Sequence, residues 1–201
     1  MPLPVHDGPA SLIDWLYDGQ NGYDVPLASE SLVERRQSSP MYGEILPEST
    51  ATLLDYLDLN RDDVLFDLGS GVGKFILQAA LTHSVRRCVG VELVKPRHLI
   101  SEDVLETARG LGLLQTEDVE FRCWDFMRTE LDQATIIYTC STAFSQELLQ
   151  KLAARMADLS PNTLFVSLQD LDETPWFVLE DVLQLDMSWA PARDVHIYRH
   201  V

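Results

Sequence analysis

The sequence predicts an α/β fold: a seven-stranded, mostly parallel sheet ending in a C-terminal antiparallel hairpin, with helices on both faces. Three observations predict it. From residue 63 onward, short apolar stretches alternate with amphipathic ones, and strand–helix alternation builds a parallel sheet covered on both sides. A glycine-rich turn, "DLGSGVGK", directly follows the first apolar stretch. The last two strand-like stretches are joined by a Pro-containing turn with no helix between them, which makes them an antiparallel pair.

The elements follow in order. Residues 1–46 differ in kind from the rest: "SLIDWLYD" with Ser11 as its cap, a stretch holding Gly19, Gly22 and Pro26, then "ASESLVERR". They read as helical turns and loops lying over the body, a candidate lid. Residues 47–201 form the main domain. It opens with the helix "PESTATLLDYL", in which Pro47 suits the first turn and Leu53, Leu54 and Leu57 share one side. Strands are read at "DVLFDL", "RCVGVEL", "VEFRC", "ATIIYTC" and "TLFVSL", with helices starting near Lys74, Pro96 and Ser145. Two of the helices carry core stripes: Ile100, Val104, Ala108 and Leu111 on one, and Leu148, Leu152, Met156 and Leu159 on the other. "VLEDVLQLDMSW" and "DVHIYRHV" supply the terminal pair.

Composition narrows the function. The chain of 201 residues carries 15 Lys and Arg against 32 Asp and Glu, a formal charge of −17. Contact with nucleic acid needs clustered cations that release counterions from phosphates, and the pairs Arg35-Arg36 and Arg86-Arg87 are too few. No direct nucleic-acid partner is expected. Cys88, Cys123 and Cys140 lie in or beside strand-like segments without metal-ligand spacing, so they read as buried, reduced thiols, and no metal site is expected. The N-terminus lacks a basic start and an apolar core, and no apolar run approaches membrane-spanning length, so a cytoplasmic location with no membrane partner is expected.

The glycine turn admits three ligands. A P-loop needs a hydroxyl after its lysine to hold magnesium, but Gly73-Lys74 is followed by Phe75. A dinucleotide fingerprint needs G-x-G-x-x-G opening onto a pyrophosphate, and here the third glycine comes one residue early, at Gly73. What remains is D-x-G-x-G-x-G, made by Asp67, Gly69, Gly71 and Gly73. An acid at the strand end repels a pyrophosphate but pairs with an amino group, so the spacing favours S-adenosylmethionine over a nicotinamide cofactor. Five parallel strands plus a terminal antiparallel pair is also the architecture of the class I methyltransferases, so fold and turn agree.

Ligands of such sheets sit at the carboxyl ends of the strands. There Glu92 can accept both ribose hydroxyls. Asp125 either accepts from the adenine amino group, with Phe126 or Trp124 stacked on the ring, or caps the next helix. Lys74 either pairs with the methionine carboxylate or faces solvent.

"MYGEILPESTATLLDYL", "FDLGSGVGKFILQAA" and "VGVEL", followed by "CWDF", "IIYTCSTAFSQEL" and "SWAPARDVHIYRH", resemble the non-SET histone lysine methyltransferases of the disruptor-of-telomeric-silencing type across residues 40 to 201. The resemblance implies a protein-lysine N-methyltransferase. It places Tyr42 and Glu44 in a loop over the methionine end of the cofactor and makes Asp67, Gly69, Glu92, Asp125 and Phe126 cofactor ligands, beside Gly71, Gly73 and Lys74 of the turn. The chain departs from the family where an Asn-Asn-Phe segment shapes the methyl-transfer site, since Cys140, Ser141 and Thr142 stand there, followed by Ala143 and Phe144. Lys74 replaces a glutamine, Ile45 replaces a threonine, and a basic DNA-binding extension is missing. Tyr42, Ser141 and Phe144 are the candidate catalytic residues, and Trp189 and Tyr198 are further candidates to line an acceptor channel. The expected partner is a protein with an accessible lysine, outside the nucleosome; a small-molecule acceptor and a catalytically silent cofactor-binding module are the alternatives.

Overall fold

A computed structural model describes residues 8–24, 42–171 and 174–201. The "ASESLVERR" stretch and the Arg35-Arg36 pair lie outside the described residues.

Helix α1 (Pro9–Leu16) starts earlier than the sequence suggests. Its cap is Gly8, because Pro9 in the first turn needs no N–H partner, and Ser11 sits inside the helix with its hydroxyl donating to Gly8 O at 3.0 Å. Ile13, Leu16 and Tyr17 are buried against the body of the protein. Helix α2 (Pro47–Tyr56) opens on Pro47 as expected and buries Leu53 and Leu54.

Strands β1 (Val64–Leu68), β2 (Arg87–Glu92), β3 (Val119–Cys123), β4 (Ile136–Thr139) and β5 (Leu164–Ser167) are parallel, in the order β3-β2-β1-β4-β5. Strand β7 (Ala190–His200) pairs antiparallel with β5 and with the edge strand β6 (Phe177–Met187), completing the seven-stranded sheet with its terminal hairpin. The order reverses between β1 and β4, so a crevice opens beyond the carboxyl end of β1.

Alternation along the strands divides the core. Leu65 and Cys88 face one layer, built with α1, α2, α3 (Lys74–Thr82) and α4 (Lys95–Gly110). Val64, Phe66 and Leu68 face the other, with α5 (Gln146–Arg155). Ser145 caps α5, its hydroxyl accepting from Leu148 N at 3.1 Å, and the stripe from Leu148 to Leu159 is buried as expected. Leu111 is an exception at 41% exposure, because it follows the last turn of α4 instead of lying along its face. Cys123 is another: it ends the sheet-edge strand β3 and is exposed, whereas Cys88 is buried and Cys140 half-buried. Among the described residues no helix is long and apolar enough to cross a membrane.

Candidate functional site

The chain leaves β1 through Asp67 into a tight turn in which Gly69 N and Ser70 N both donate to Val91 O, at 2.9 and 3.0 Å. The turn ends at Gly73, which begins α3. Gly71 has φ +56°, and a Cβ there would lie 2.5 Å from the Tyr42 ring. Gly73 has φ +88°, and a Cβ there would lie 2.5 Å from Phe121. The two glycines therefore serve different ends. Gly71 lets the Tyr42 loop approach, while Gly73 seats the helix on the sheet and lines neither cavity described below.

Glu92, at the end of β2, reaches under this turn. Its carboxylate accepts from Gly71 N at 2.8 Å and from Val94 N at 2.7 Å, through different oxygens. Asp67 is 3% exposed and its Oδ1 has no partner among the described residues. Burial, reinforced by the Glu92 charge, pushes the Asp67 carboxyl well above the usual carboxylate range. Burial also pushes Glu92 up, against the backbone N–H groups and the Arg97 charge that hold it down. Two neighbouring buried carboxylates, one with an orphaned oxygen, suit a ligand bearing hydroxyls and a cation.

A cavity of about 350 Å³ opens at this point. It is lined by Glu92, Asp125, Phe126 and Met127 together with Gly43, Cys140, Thr142, Phe144 and Trp189. Asp125 lines the cavity, and its Oδ1 accepts from Met127 N at 3.0 Å, capping a 3₁₀ turn at Phe126–Arg128. Phe126 stacks on Phe144 with centroids 5.3 Å apart. Trp124, the alternative stacking ring, points to solvent at 53% exposure.

A smaller cavity of about 30 Å³ lies between the glycine turn and the Tyr42 loop, lined by Glu44, Asp67, Gly71, Lys74 and Cys140 among others. Tyr42 donates a short hydrogen bond to Glu44 and accepts from Val72 N at 3.3 Å. Burial, then the Glu44 charge, raises its phenol far above the ordinary value, so Tyr42 acts as a hydrogen-bond donor and cannot serve as a base. Lys74 is partly exposed, and its Nζ donates to Glu44 Oε2 at 2.6 Å. The Cys140 thiol is pushed up to about 12, by burial first and then by Asp67 and Glu44, which makes it an inert thiol.

The hairpin tip holds the Tyr42 loop. Ser188 N donates to Glu44 O at 2.8 Å, and the Ser188 hydroxyl accepts from Glu44 N at 3.0 Å and from the Tyr23 hydroxyl at 3.1 Å. The Trp189 ring covers Gly43 so closely that a Cβ there would lie 2.2 Å from it. Arg97 walls the large cavity, with its guanidinium 4.3 Å from the Tyr42 ring centroid.

The structure thus gathers Tyr42, Glu44, Asp67, Gly69, Gly71, Lys74, Glu92, Asp125, Phe126, Phe144 and Trp189 around the two cavities. Gly73, which seats α3 on the sheet, and two further candidates lie elsewhere. Ser141 is fully buried and bonded to Ser167 Oγ at 2.8 Å and to Gln169 N at 2.9 Å, because the 3₁₀ turn at Ser141–Ala143 directs Thr142 and Ala143 to the cavity in its place. Tyr198 lines neither cavity; it is buried in the core layer under α5 and bonded to Asp170 and Leu171 N. Arg97 and Ser188 escaped the sequence reading. Arg97 alone had a local signal, as a cation on the turn that follows the Glu92 strand end.

The fold and site define the chain as a member of the class I methyltransferase fold. An RNA methyltransferase from Salinibacter ruber, solved with S-adenosyl-L-homocysteine, superposes with a TM-score of 0.60 at 27% identity over 76% of this chain and 90% of that one. A tRNA methyltransferase of B. subtilis shares the fold alone, at 16% identity and a TM-score of 0.60 over 77% of this chain and 66% of that one. Within this class the chain belongs to the family described as histone methylation protein DOT1, whose model matches residues 25–181. Relatives named histone-lysine N-methyltransferase, H3 lysine-79 specific, are 25% identical over 143 residues in Caenorhabditis elegans and 28% identical over 138 in Drosophila melanogaster. The match covers 67% and 65% of this chain but only 15% and 7% of those relatives, so the chain corresponds to a small part of their length.

Proposed function

We propose that this chain is an S-adenosylmethionine-dependent methyltransferase that methylates the side-chain amine of a protein lysine. The observation that carries the reading is the pair Asp67 and Glu92 at the glycine turn, the first with an orphaned buried carboxylate oxygen at the smaller cavity and the second on the wall of the larger, which Asp125, Phe126, Phe144 and Trp189 also line. Those residues fit the cofactor: Glu92 for the ribose hydroxyls, Asp125 and Phe126 for adenine, Asp67 and Lys74 for the aminocarboxylate. When bound, the cofactor supplies an electrophilic methyl group.

The chain's own residues position, desolvate and exclude water. Methyl transfer needs an amine lone pair aligned behind the methyl carbon, and alignment is the main contribution a protein makes. Neither Tyr42 nor Cys140 serves as a base at the cavity: the Tyr42 phenol stays protonated and Cys140 stays a thiol. The acceptor must therefore shed its own proton, which the apolar walls of Phe144, Leu148 and Trp189 favour by destabilising an ammonium ion.

The acceptor is a lysine-bearing protein outside the nucleosome. In support, Cys140 and Thr142 line the larger cavity where the family carries amides, and the −17 charge opposes a phosphate-rich surface. The test is incubation of the full chain with methyl-labelled cofactor and cell extract, followed by mass spectrometry. Label on lysine Nε of proteins, with activity rising as pH deprotonates the amine, is expected. Label confined to RNA, to small molecules or to histone H3 in nucleosomes would overturn the acceptor assignment.

A further inference from the structure

Three segments distant in sequence meet at Arg97. It lies in the first turn of α4, on the same strand-to-helix connection as Glu92, and is only 5% exposed. Its Nε donates to Gly22 O at 2.8 Å, reaching the turn that follows α1. Its guanidinium lies over the Tyr42 ring, and its charge favours the ionised form of Glu92.

Tyr42 is clasped from all sides. Tyr23 meets it edge-on with centroids 5.0 Å apart, and a Cβ at either Gly22 or Gly71 would lie 2.5 Å from the ring. Tyr17 adds a second tie from the same segment, its hydroxyl donating to Val72 O at 2.9 Å. Yet none of residues 8–24 lines the large cavity. Residues 8–24 reach the walls of that cavity through Tyr42, through Arg97 and, by the Tyr23–Ser188 bond, through the hairpin tip.

We propose that Arg97 is a positioning residue that latches the Gly22–Tyr23 turn to the cofactor cavity, so that the loop over Tyr42 and the Glu92 grip form one unit. The inference rests on the proposed cofactor site and adds the N-terminal segment to it. A planar guanidinium is required. It stacks on the phenol while its edge donates to the carbonyl, and an ammonium cannot do both at once. Gly22 is required because the carbonyl must approach while its own Cα touches the ring.

The test is calorimetric titration of the full chain with S-adenosylhomocysteine, comparing wild type with Arg97→Met, Arg97→Lys, Gly22→Ala and the Arg97→Met/Gly22→Ala double variant, each first shown to unfold cooperatively. Arg97→Met is expected to weaken binding about tenfold, as loss of a desolvated cation–π contact with its hydrogen bond implies. Arg97→Lys should not rescue it. Gly22→Ala, which crowds the Tyr42 ring from the N-terminal side, should weaken binding too, and the double variant should lose far less than the product of the two single effects. Wild-type affinity in Gly22→Ala, independent effects in the double variant, or full rescue by lysine would overturn the latch while leaving the cofactor reading intact. A wild-type chain that binds no S-adenosylhomocysteine would overturn both. Should Arg97→Met fail to fold, hydrogen exchange on the wild type carries the test: the ligand should slow amides between residues 9 and 24, and unchanged exchange there would refute the latch.

Discussion

Asp67 and Glu92 are held in the structure at an electrostatic disadvantage. A carboxyl raised by burial keeps its proton at pH values where an unfolded aspartate, titrating near about 4, has lost it. Between those two points the folded chain binds more protons than the unfolded one, so the ligand-free protein loses stability as pH rises through the window above the ordinary carboxylate range. A cationic ligand at Asp67 reverses the balance by drawing the proton off. Binding of S-adenosylhomocysteine should therefore release protons and tighten as pH rises through that window. Calorimetry in buffers of different ionisation enthalpy will show the release, and Asp67→Asn should abolish it; proton uptake on binding would contradict the assignment. Asp67, Glu92, Asp125 and Phe126 were legible in the sequence because each stands at or just beyond a strand end, where the fold dictates which way the chain faces. Ser141 was misread because a 3₁₀ turn after β4 rotates the side chains by a register that composition does not encode.

The parallel strands emerged close to those the periodicity implied, since a two-layer core tolerates few alternatives to alternating apolar faces. The terminal turn, however, is Ser188–Trp189 and not the Pro-containing stretch, because β7 starts at Ala190 and takes Pro191 into the strand. The hairpin was legible as a pair of strands, but its purpose was not. Its tip anchors the Tyr42 loop through Ser188, a residue that lies 144 positions from Glu44 in the chain and carries no motif. No local pattern can announce a bond across that separation. Ser188→Ala removes the hydroxyl that accepts from both Glu44 N and Tyr23. The expected cost is about 1 kcal/mol of stability for the exchanged hydrogen bonds. Because the freed loop carries Tyr42, S-adenosylhomocysteine affinity should fall with it. Thermal unfolding and titration of the same variant check both, and a stability loss with affinity unchanged would show that the hairpin does not position the loop.

At the scale of the whole molecule, the proposed partners follow from charge. A net charge of −17 gives an acidic field that slows the approach of nucleic acid and speeds that of a cationic protein. Bare duplex DNA should bind negligibly at physiological salt in a mobility-shift titration, and a steep, salt-sensitive micromolar affinity would contradict this account. The central claim remains that the crevice beyond β1 holds S-adenosylmethionine. Its most direct test is calorimetric titration with S-adenosylhomocysteine and with NAD, on the wild type and on Glu92→Ala. The account predicts binding of S-adenosylhomocysteine and none of NAD, with about 2 to 3 kcal/mol of affinity lost in Glu92→Ala as its charge-assisted hydrogen bonds go. Preference for NAD, or unchanged S-adenosylhomocysteine affinity in a folded Glu92→Ala variant, would contradict it.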